Sequence, residues 1–377
     1  MRPYLNTIYV SKEGAWLRKD GENLVVSLER EVLARFPLHM IEGIVCIGRV
    51  SLTTPLMGHC VREGKCITHL DENGRFLARI EGPVSGNVLL RREQYRRTDD
   101  PHRCACIARN LLIGKVNNQR AVLARALRDH AASMEECRRE AVEQAVQSLK
   151  RIIERIRVCA DLDFLRGMEG EAAQLYFGVF DCLIRSDSPA MRFTGRSRRP
   201  PLDRVNALLS FLYVLLTHDC RSALETIGLD PAVGFLHRDR PGRASMALDL
   251  MEEFRPVLAD RLVLSLINRK QVVESDFLIA DNGAVLLKDN CRKAVLTAWQ
   301  ERKREELQHA FIGESAPLGL FPVLQAQLLA RHLRGDLDLV IPHIFDHMDI
   351  PRTMSSSRRI PFQITSFPGG LSFFLAR

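Results

Sequence analysis

The chain has 377 residues, 46% hydrophobic and 27% charged, the composition of an ordinary folded protein of two or three domains with ample apolar material for a core. Its net charge of +8 is led by arginine, which favours a polyanionic partner such as nucleic acid over a neutral metabolite. There is no apolar run of about 18 residues, and the N-terminus MRPYLNTIYV lacks the layout of a signal peptide, so a cytoplasmic protein with no membrane association is expected.

From Asn6 to about Ile80 the pattern is short and β-like: TIYV, AWLRKDGENLVVSL, EVLARFPL, IEGIVCIG and CITHLDENGRFLARI, separated by turn residues. Lys19-Asp20-Gly21-Glu22 and Asp71-Glu72-Asn73-Gly74 are hairpin signals, and TPLMGHC reads as a short helix between strands. Residues 1–82 carry no catalytic constellation and are expected to form a β-rich assembly or dimerisation domain. The stretch Glu81 to Asn87, EGPVSGN, opens a linker taken through 83–100.

Beyond it the period turns helical over Pro101 to Asp129, Met134 to Val158, Asp161 to Leu183, Leu202 to Ile227, Ser245 to Lys270 and Asn290 to Phe311. A small hairpin around Asp281-Asn282-Gly283 interrupts from Asp276 to Asp289. The expected fold is α+β, a small β-rich domain followed by a mainly α-helical catalytic domain over 101–337. Residues 338–377 have no clear period and form an atypical tail.

Ten cysteines lie in apparent core segments without framework spacing, which predicts buried thiols and no structural disulfides. His59, Cys60, Cys66 and His69 resemble a zinc spacing only superficially, because a helix, a strand and a turn would point them several ways. His102, Cys104 and Cys106 fail similarly, being splayed around one helix.

Three distant stretches each offer a hard-cation ligand. On the helix from Asp161, Leu165, Met168, Ala172, Leu175 and Val179 form the expected buried stripe, with Arg166, Glu169, Ala173 and Tyr176 on the adjacent face. Glu169 alone could equally pair with Arg166 on the helix surface. His237 leaves the apolar segment GFL ahead of the arginine-rich RDRPGR, and alone could be a satisfied core histidine. Downstream, Ser245 can cap a helix on which Asp249 and Glu252 are three apart and Asp249 and Glu253 four apart; such acids can also be a solvated face. Together, a carboxylate, an imidazole and a carboxylate in three apolar settings suit a Mg or Mn ion able to polarise a phosphoryl oxygen.

Arg192, Arg196, Arg198, Arg199 and Arg204 crowd one loop, and Arg238, Arg240 and Arg243 another, as a nucleic-acid backbone track would require. Arg91, Arg92, Arg96 and Arg97 around Tyr95, and Lys150, Arg151, Arg155 and Arg157, read as solvated helix faces.

The order GMEGEAAQLYF, RRPPLDRVNALLSFLY, GFLHRDRPGRASMALDLMEEFRP resembles the CRISPR-associated integrase family (Cas-one) of the spacer-acquisition complex. LNTIYVSKEGAWLRKDGENLVV and MIEGIVCIG resemble its type I-C form. The resemblance, over about Leu5 to Leu337, implies Glu169, His237 and Glu252 as catalytic metal ligands for Mg2+ or Mn2+. Tyr176, Asn206 and Asp249 are then auxiliary, and Glu253 a surface or helix-capping charge. It also implies a homodimer, a small ferredoxin-like companion subunit, and metal-dependent joining of the 3′-hydroxyl ends of short DNA duplexes into a CRISPR array by transesterification. Two rivals remain. One is an HD-type phosphohydrolase built on His218-Asp219 with His130 and Asp260; the other is a basic helical scaffold that binds DNA without chemistry.

Overall fold

The computed structural model describes residues 7–29, 31–41, 43–71, 76–80, 82, 88–340 and 342–345. They fall into two compact units, one within Met1–Ser85 and one within Gly86–Arg352. The architecture is α+β, the first unit β-rich and the second mainly helical.

The first unit runs β1 (Thr7–Val10), β2 (Trp16–Asp20), β3 (Asn23–Leu28), β4 (Glu31–Pro37), β5 (Gly43–Ile47), β6 (Ser51–Leu52), α1 (Thr54–Arg62), β7 (Cys66–Leu70) and β8 (Phe76–Ile80). Two four-stranded sheets form, ordered β1-β5-β7-β8 and β4-β3-β2-β6. β5 is paired on both sides by parallel neighbours, which explains why GIVCI is a continuous apolar run and every residue of it is buried. Ile8, Val10, Leu17, Leu24, Val26, Ile44, Cys46, Leu56 and Ile67 share one core across the two sheets and α1. The Lys19 to Glu22 signal is a hairpin, with Asp20 opposite Asn23 and Gly21 at φ +56°. In the second turn signal, Glu72, Asn73 and Gly74 lie outside the described residues. Cys60 is wholly buried, and burial pushes its thiol up to about 11. All ten cysteines are free thiols.

The second unit runs α2 (Val88–Asp99), α3 (Pro101–His130), α4 (Glu136–Val158), α5 (Leu162–Gly178), α6 (Arg204–Ile227), α7 (Ser245–Met251), α8 (Arg261–Asn268), β9 (Phe277–Ile279), β10 (Val285–Leu287), α9 (Asp289–Arg304), β11 (Glu306–Gln308), β12 (Ser315–Pro317) and α10 (Phe321–Arg334). Asp100, Asp161 and Asp203 cap α3, α5 and α6 by accepting from backbone N–H groups two or three residues on. The buried residues of α3, which packs against α4 and α5, include Leu111, Leu112 and Val122 and, unexpectedly, Lys115, Asn118 and Gln119. Gly114 lets Glu253 and Pro342 approach this helix closely, because a Cβ there would stand 3.0 Å from both Glu253 Cγ and Pro342 Cβ.

Several expectations are corrected. Residues 88–99, expected within the linker, form α2; its polar, basic sequence hides two buried residues, Leu90 and Gln94, and Gln94 exchanges hydrogen bonds with the backbone of Asp230 and donates to Val233 O. The helix expected through Phe311 ends at Arg304 and gives way to β11. Helix α10 was not anticipated, although Pro322 near its start and Gly335 at φ +85° at its end are standard punctuation. The tail expected from Asp338 begins as packed structure, since Val340, His343 and Phe345 are buried; residues 346–377 lie outside the described residues. On α5 the buried stripe closes on Tyr176, with Leu175 and Val179 only half-buried.

The largest departure is the single helix expected over Ser245 to Lys270. Ala244, not Ser245, is its N-cap, and the Ser245 hydroxyl donates to Arg238 O at 3.2 Å. α7 stops at Met251, Glu252 N and Phe254 N reach back only three residues, and Arg255–Asp260 form a wide π turn before α8. Pro256 has no N–H to give the Glu252 carbonyl, so the regular ladder cannot continue. The break aims successive acids at different partners. Glu253 is fully buried, not a surface charge: its carboxylate accepts from Gln325 Nε2 at 2.8 Å and His343 N at 3.2 Å, and its carbonyl from Asn118 Nδ2 at 2.8 Å.

Burial pushes the Glu253 carboxyl up to about 8 against the two hydrogen bonds that favour ionisation. A raised folded-state pKa stabilises most below the ordinary value near 4.5 and loses that contribution as pH rises through 8. Glu253→Gln, which keeps an acceptor for both donors, is therefore expected to flatten the pH dependence of unfolding free energy across this window in urea titrations. Parallel curves for the two proteins would contradict the buried, protonated state.

Candidate active site

Asp249 organises the loop that carries His237. Its Oδ2 accepts from Phe235 N at 2.6 Å and Leu236 N at 2.9 Å, and its Oδ1 from His237 N at 2.9 Å and His237 Nδ1 at 2.6 Å. The loop carbonyls are held from the other side, Leu236 O by Arg166 Nε at 2.7 Å and Phe235 O by the Cys104 thiol at 3.1 Å. Gly234 makes this approach possible, because a Cβ would lie 2.8 Å from Asp249 Oδ2 and from the Ser245 carbonyl carbon. A carboxylate can only accept, so His237 Nδ1 carries the proton and Nε2 presents its lone pair, 3.7 Å from Glu252 Oε1.

Glu252, at the end of α7, is 1% exposed at its side chain and stands among cations: Lys115 Nζ lies 2.8 Å from Oε2 and Arg255 Nη1 2.8 Å from Oε1. Burial opposes its ionisation, but Arg255 and then Lys115 outweigh burial and hold the carboxyl at about 2. Glu169, on α5, is not paired with Arg166, which bonds Asp163 and the His237 loop instead; its Oε1 meets the same Lys115 ammonium. Glu169, Glu252 and His237 Nε2 thus converge from three elements, with Lys115 between the two carboxylates.

Two carboxylates and an imidazole already oriented through its other nitrogen suit a hard divalent ion in kind. The buried Oε atoms of Glu252 receive ion-pair contacts but no hydrogen bond of good geometry, leaving lone pairs to offer. Among the described residues, no three His, Cys, Asp or Glu side chains are close enough to enclose an ion as they stand. The Lys115 ammonium holds the intervening position.

The expected auxiliary residues lie behind this centre. Asn206 is buried and ties the arginine loop, accepting from Arg196 Nη1 at 2.5 Å and Ser197 N at 3.1 Å while donating to Gly195 O. Arg196 stacks on one side of the contact with Tyr213, 5.1 Å from the ring centre, and Arg255 is 5.0 Å from the same ring. The Tyr213 hydroxyl donates to Asp260 at 2.6 Å, and Tyr176 is buried beside the same carboxylate. Burial pushes Asp260 up to about 6 despite these neighbours.

Of the expected nucleic-acid arginines, Arg198, Arg199, Arg238 and Arg240 are exposed, and Arg238 also pairs with Asp163 at 2.8 Å. Arg243 is half-buried, Arg192 faces Asp181 at 3.4 Å, and Arg196 is engaged internally. The HD constellation does not assemble: Asp219 pairs with Lys303 at 2.7 Å, Asp260 with Tyr213, and His130 lies against Arg185. The basic helix faces are ion-paired surfaces, with Arg155 on Glu171, Arg157 on Glu154 and Arg97 on Glu93. Lys115, Arg255 and Tyr213 were not anticipated; only Lys115 left a signal, a lysine one turn beyond Leu111 on the buried side of α3.

The family model described as CRISPR associated protein Cas1 matches residues 8–301. A CRISPR-associated endonuclease Cas1 2 of Rhodospirillum rubrum is 60% identical over 343 residues, 91% of this chain and 99% of that protein. Two solved structures share the fold. One, described as a casposase bound to integration product, has TM-score 0.79 and 22% identity, covering 92% of this chain and 96% of the other. The other, described as a Cas6-RT-Cas1--Cas2 complex, has TM-score 0.75 and 21% identity over 92% of this chain and 37% of the other. The chain belongs to the CRISPR associated protein Cas1 family.

Proposed function

We propose that this protein is a metal-dependent DNA endonuclease and integrase of CRISPR adaptation that joins 3′-hydroxyl ends of short DNA duplexes into a CRISPR array. The observation that carries the reading is the convergence of Glu169, Glu252 and the lone pair of His237 Nε2 around one buried cationic position. The relatives' name, endonuclease, and the integration product held by a protein of the same fold support it. The N-terminal sequence resemblance favours the type I-C form. Partners on this reading are DNA, a second copy of the chain and a small ferredoxin-like companion subunit, the last supported by the Cas1–Cas2 composition of a complex of like fold. Among the described residues no helix is long and apolar enough to cross a membrane, and the cytoplasm is the proposed location.

Glu169, Glu252 and His237 Nε2 would hold one Mg2+ or Mn2+ ion, which would supply Lewis-acid stabilisation of charge on the phosphoryl oxygens. Asp249 keeps the His237 proton on Nδ1 and the imidazole fixed in direction. Arg255 favours the ionised form of Glu252. The exposed arginines bind backbone phosphates. In joining, a 3′-hydroxyl oxygen bonds to phosphorus as the target strand's 3′-oxygen leaves and takes up a proton; with water as nucleophile the same exchange is hydrolysis.

Glu169→Ala and His237→Ala are each expected to abolish Mn2+-dependent joining to a supercoiled target while leaving duplex affinity within a few-fold, about 1 kcal/mol or less. Wild-type joining by both variants would leave a non-catalytic DNA-binding scaffold as the better account. Asp249→Ala strands two buried N–H groups and a part-buried third and is expected to cost about 3 kcal/mol of stability, read by urea denaturation. For Arg198→Ala, binding isotherms across a salt series should show the slope of log affinity against log salt reduced by about 1. An unchanged slope removes Arg198 from the DNA track.

A further inference from the structure

Among the described residues, Lys115 supplies the cation that pairs with both Glu169 and Glu252. We infer that Lys115 is an internal counter-ion which a divalent cation must displace, so that metal binding here is an exchange of cations coupled to withdrawal of the Lys115 side chain. The inference rests on the metal-site reading above.

The geometry sets Lys115 and a bridging ion in competition for the same oxygens. An ammonium 2.8 Å from Glu252 Oε2 and in contact with Glu169 Oε1 engages one oxygen of each carboxylate, so an ion bridging the two acids through those oxygens needs Lys115 to withdraw. Charge balance points the same way. Around the site, Glu169, Asp249 and Glu252 face Lys115 and Arg255, one negative charge in excess when the imidazole is neutral, as a ligand must be. A dication added without release of a cation would leave a buried positive excess, which the low-dielectric interior disfavours.

Lys115 and Arg255 differ in their freedom to leave. Arg255 is held by two partners, its guanidinium 2.8 Å from Glu252 and over the face of Tyr213 at 5.0 Å. Lys115 has a flexible four-carbon stem, and its partner Glu169 is 32% exposed, so the Glu169 side offers the exit. The helix beneath it, thirty residues long and capped by Asp100, stays in place. Without a metal the ammonium screens two carboxylates that would otherwise repel across the gap, keeping the site assembled.

The test uses the full chain, freed of metal by chelation and without DNA. Mn2+ is titrated calorimetrically, and in parallel the protein is pulse-labelled with an amine-reactive ester and the lysines are read by mass spectrometry. Lys115, 4% exposed, should be protected before Mn2+ and reactive at saturation, while Lys303, equally enclosed on Asp219, should stay protected throughout. Lys115→Met should bind Mn2+ at least about tenfold more tightly and show a lower metal-free Tm. Protection of Lys115 at saturating Mn2+, or affinity in Lys115→Met equal to or below wild type, would overturn the inference and leave the metal site standing. Absence of any Mn2+ binding by the wild-type protein would overturn both. Because labelling is done on the wild-type chain, it decides the matter even where Lys115→Met fails to fold.

Discussion

One buried carboxylate, that of Asp249, sets the geometry on which the site depends. Three successive backbone N–H groups and an imidazole N–H end on its two oxygens. Leaving those donors unpaired in the interior would cost more than the hydrogen bonds gain, so the loop has one conformation in which everything is satisfied. That conformation decides the His237 tautomer and directs Nε2 at Glu252. Gly234 and the bonds from Arg166 and Cys104 exist to let the loop reach it.

The second constraint is charge in a dry place. Glu252, Glu253 and Asp260 are all buried within one short segment, and the interior handles each differently. Glu252 has two cations and stays ionised; Glu253 has only hydrogen bonds and its carboxyl rises to about 8; Asp260, between tyrosines, rises to about 6. The proline-driven break between α7 and α8 makes this sorting possible, since a regular helix would have kept residues 249, 252, 253 and 256 on neighbouring faces. The same turn therefore serves two environments: Glu253 fastens α10 and the segment at His343, while Glu252 beside it faces Lys115, Arg255 and His237.

Much of this was legible in the sequence where a local period or a turn chemistry decides the outcome. The strands of the first unit, the Gly21 hairpin, α3 and α4, and the small hairpin between β9 and β10 all follow from apolar spacing and from Gly, Asn and Asp at turns. Where polar residues form the buried face, spacing failed. Helix α2 is anchored by Gln94, and α10 contributes Gln325 to Glu253, neither of which looks like core in a linear reading. The stripe on α5 ended on Tyr176 instead of Leu175 because the aromatic ring packs against Phe177 and Phe180.

The sequence by itself singled out the candidate residues: Glu169, His237, Asp249 and Glu252 are unusual in their settings, and the segments that hold them resemble the family. Tertiary structure alone decided their states. Whether an acid is ionised, which imidazole nitrogen holds the proton, and which cation stands between two carboxylates depend on groups that come from distant helices, Lys115 from α3, Arg255 from the broken turn and Gln325 from α10. Covalent order along a chain fixes spacing over a few residues, whereas electric field and hydration at a buried atom are sums over everything within several ångströms, and only the folded chain defines that neighbourhood.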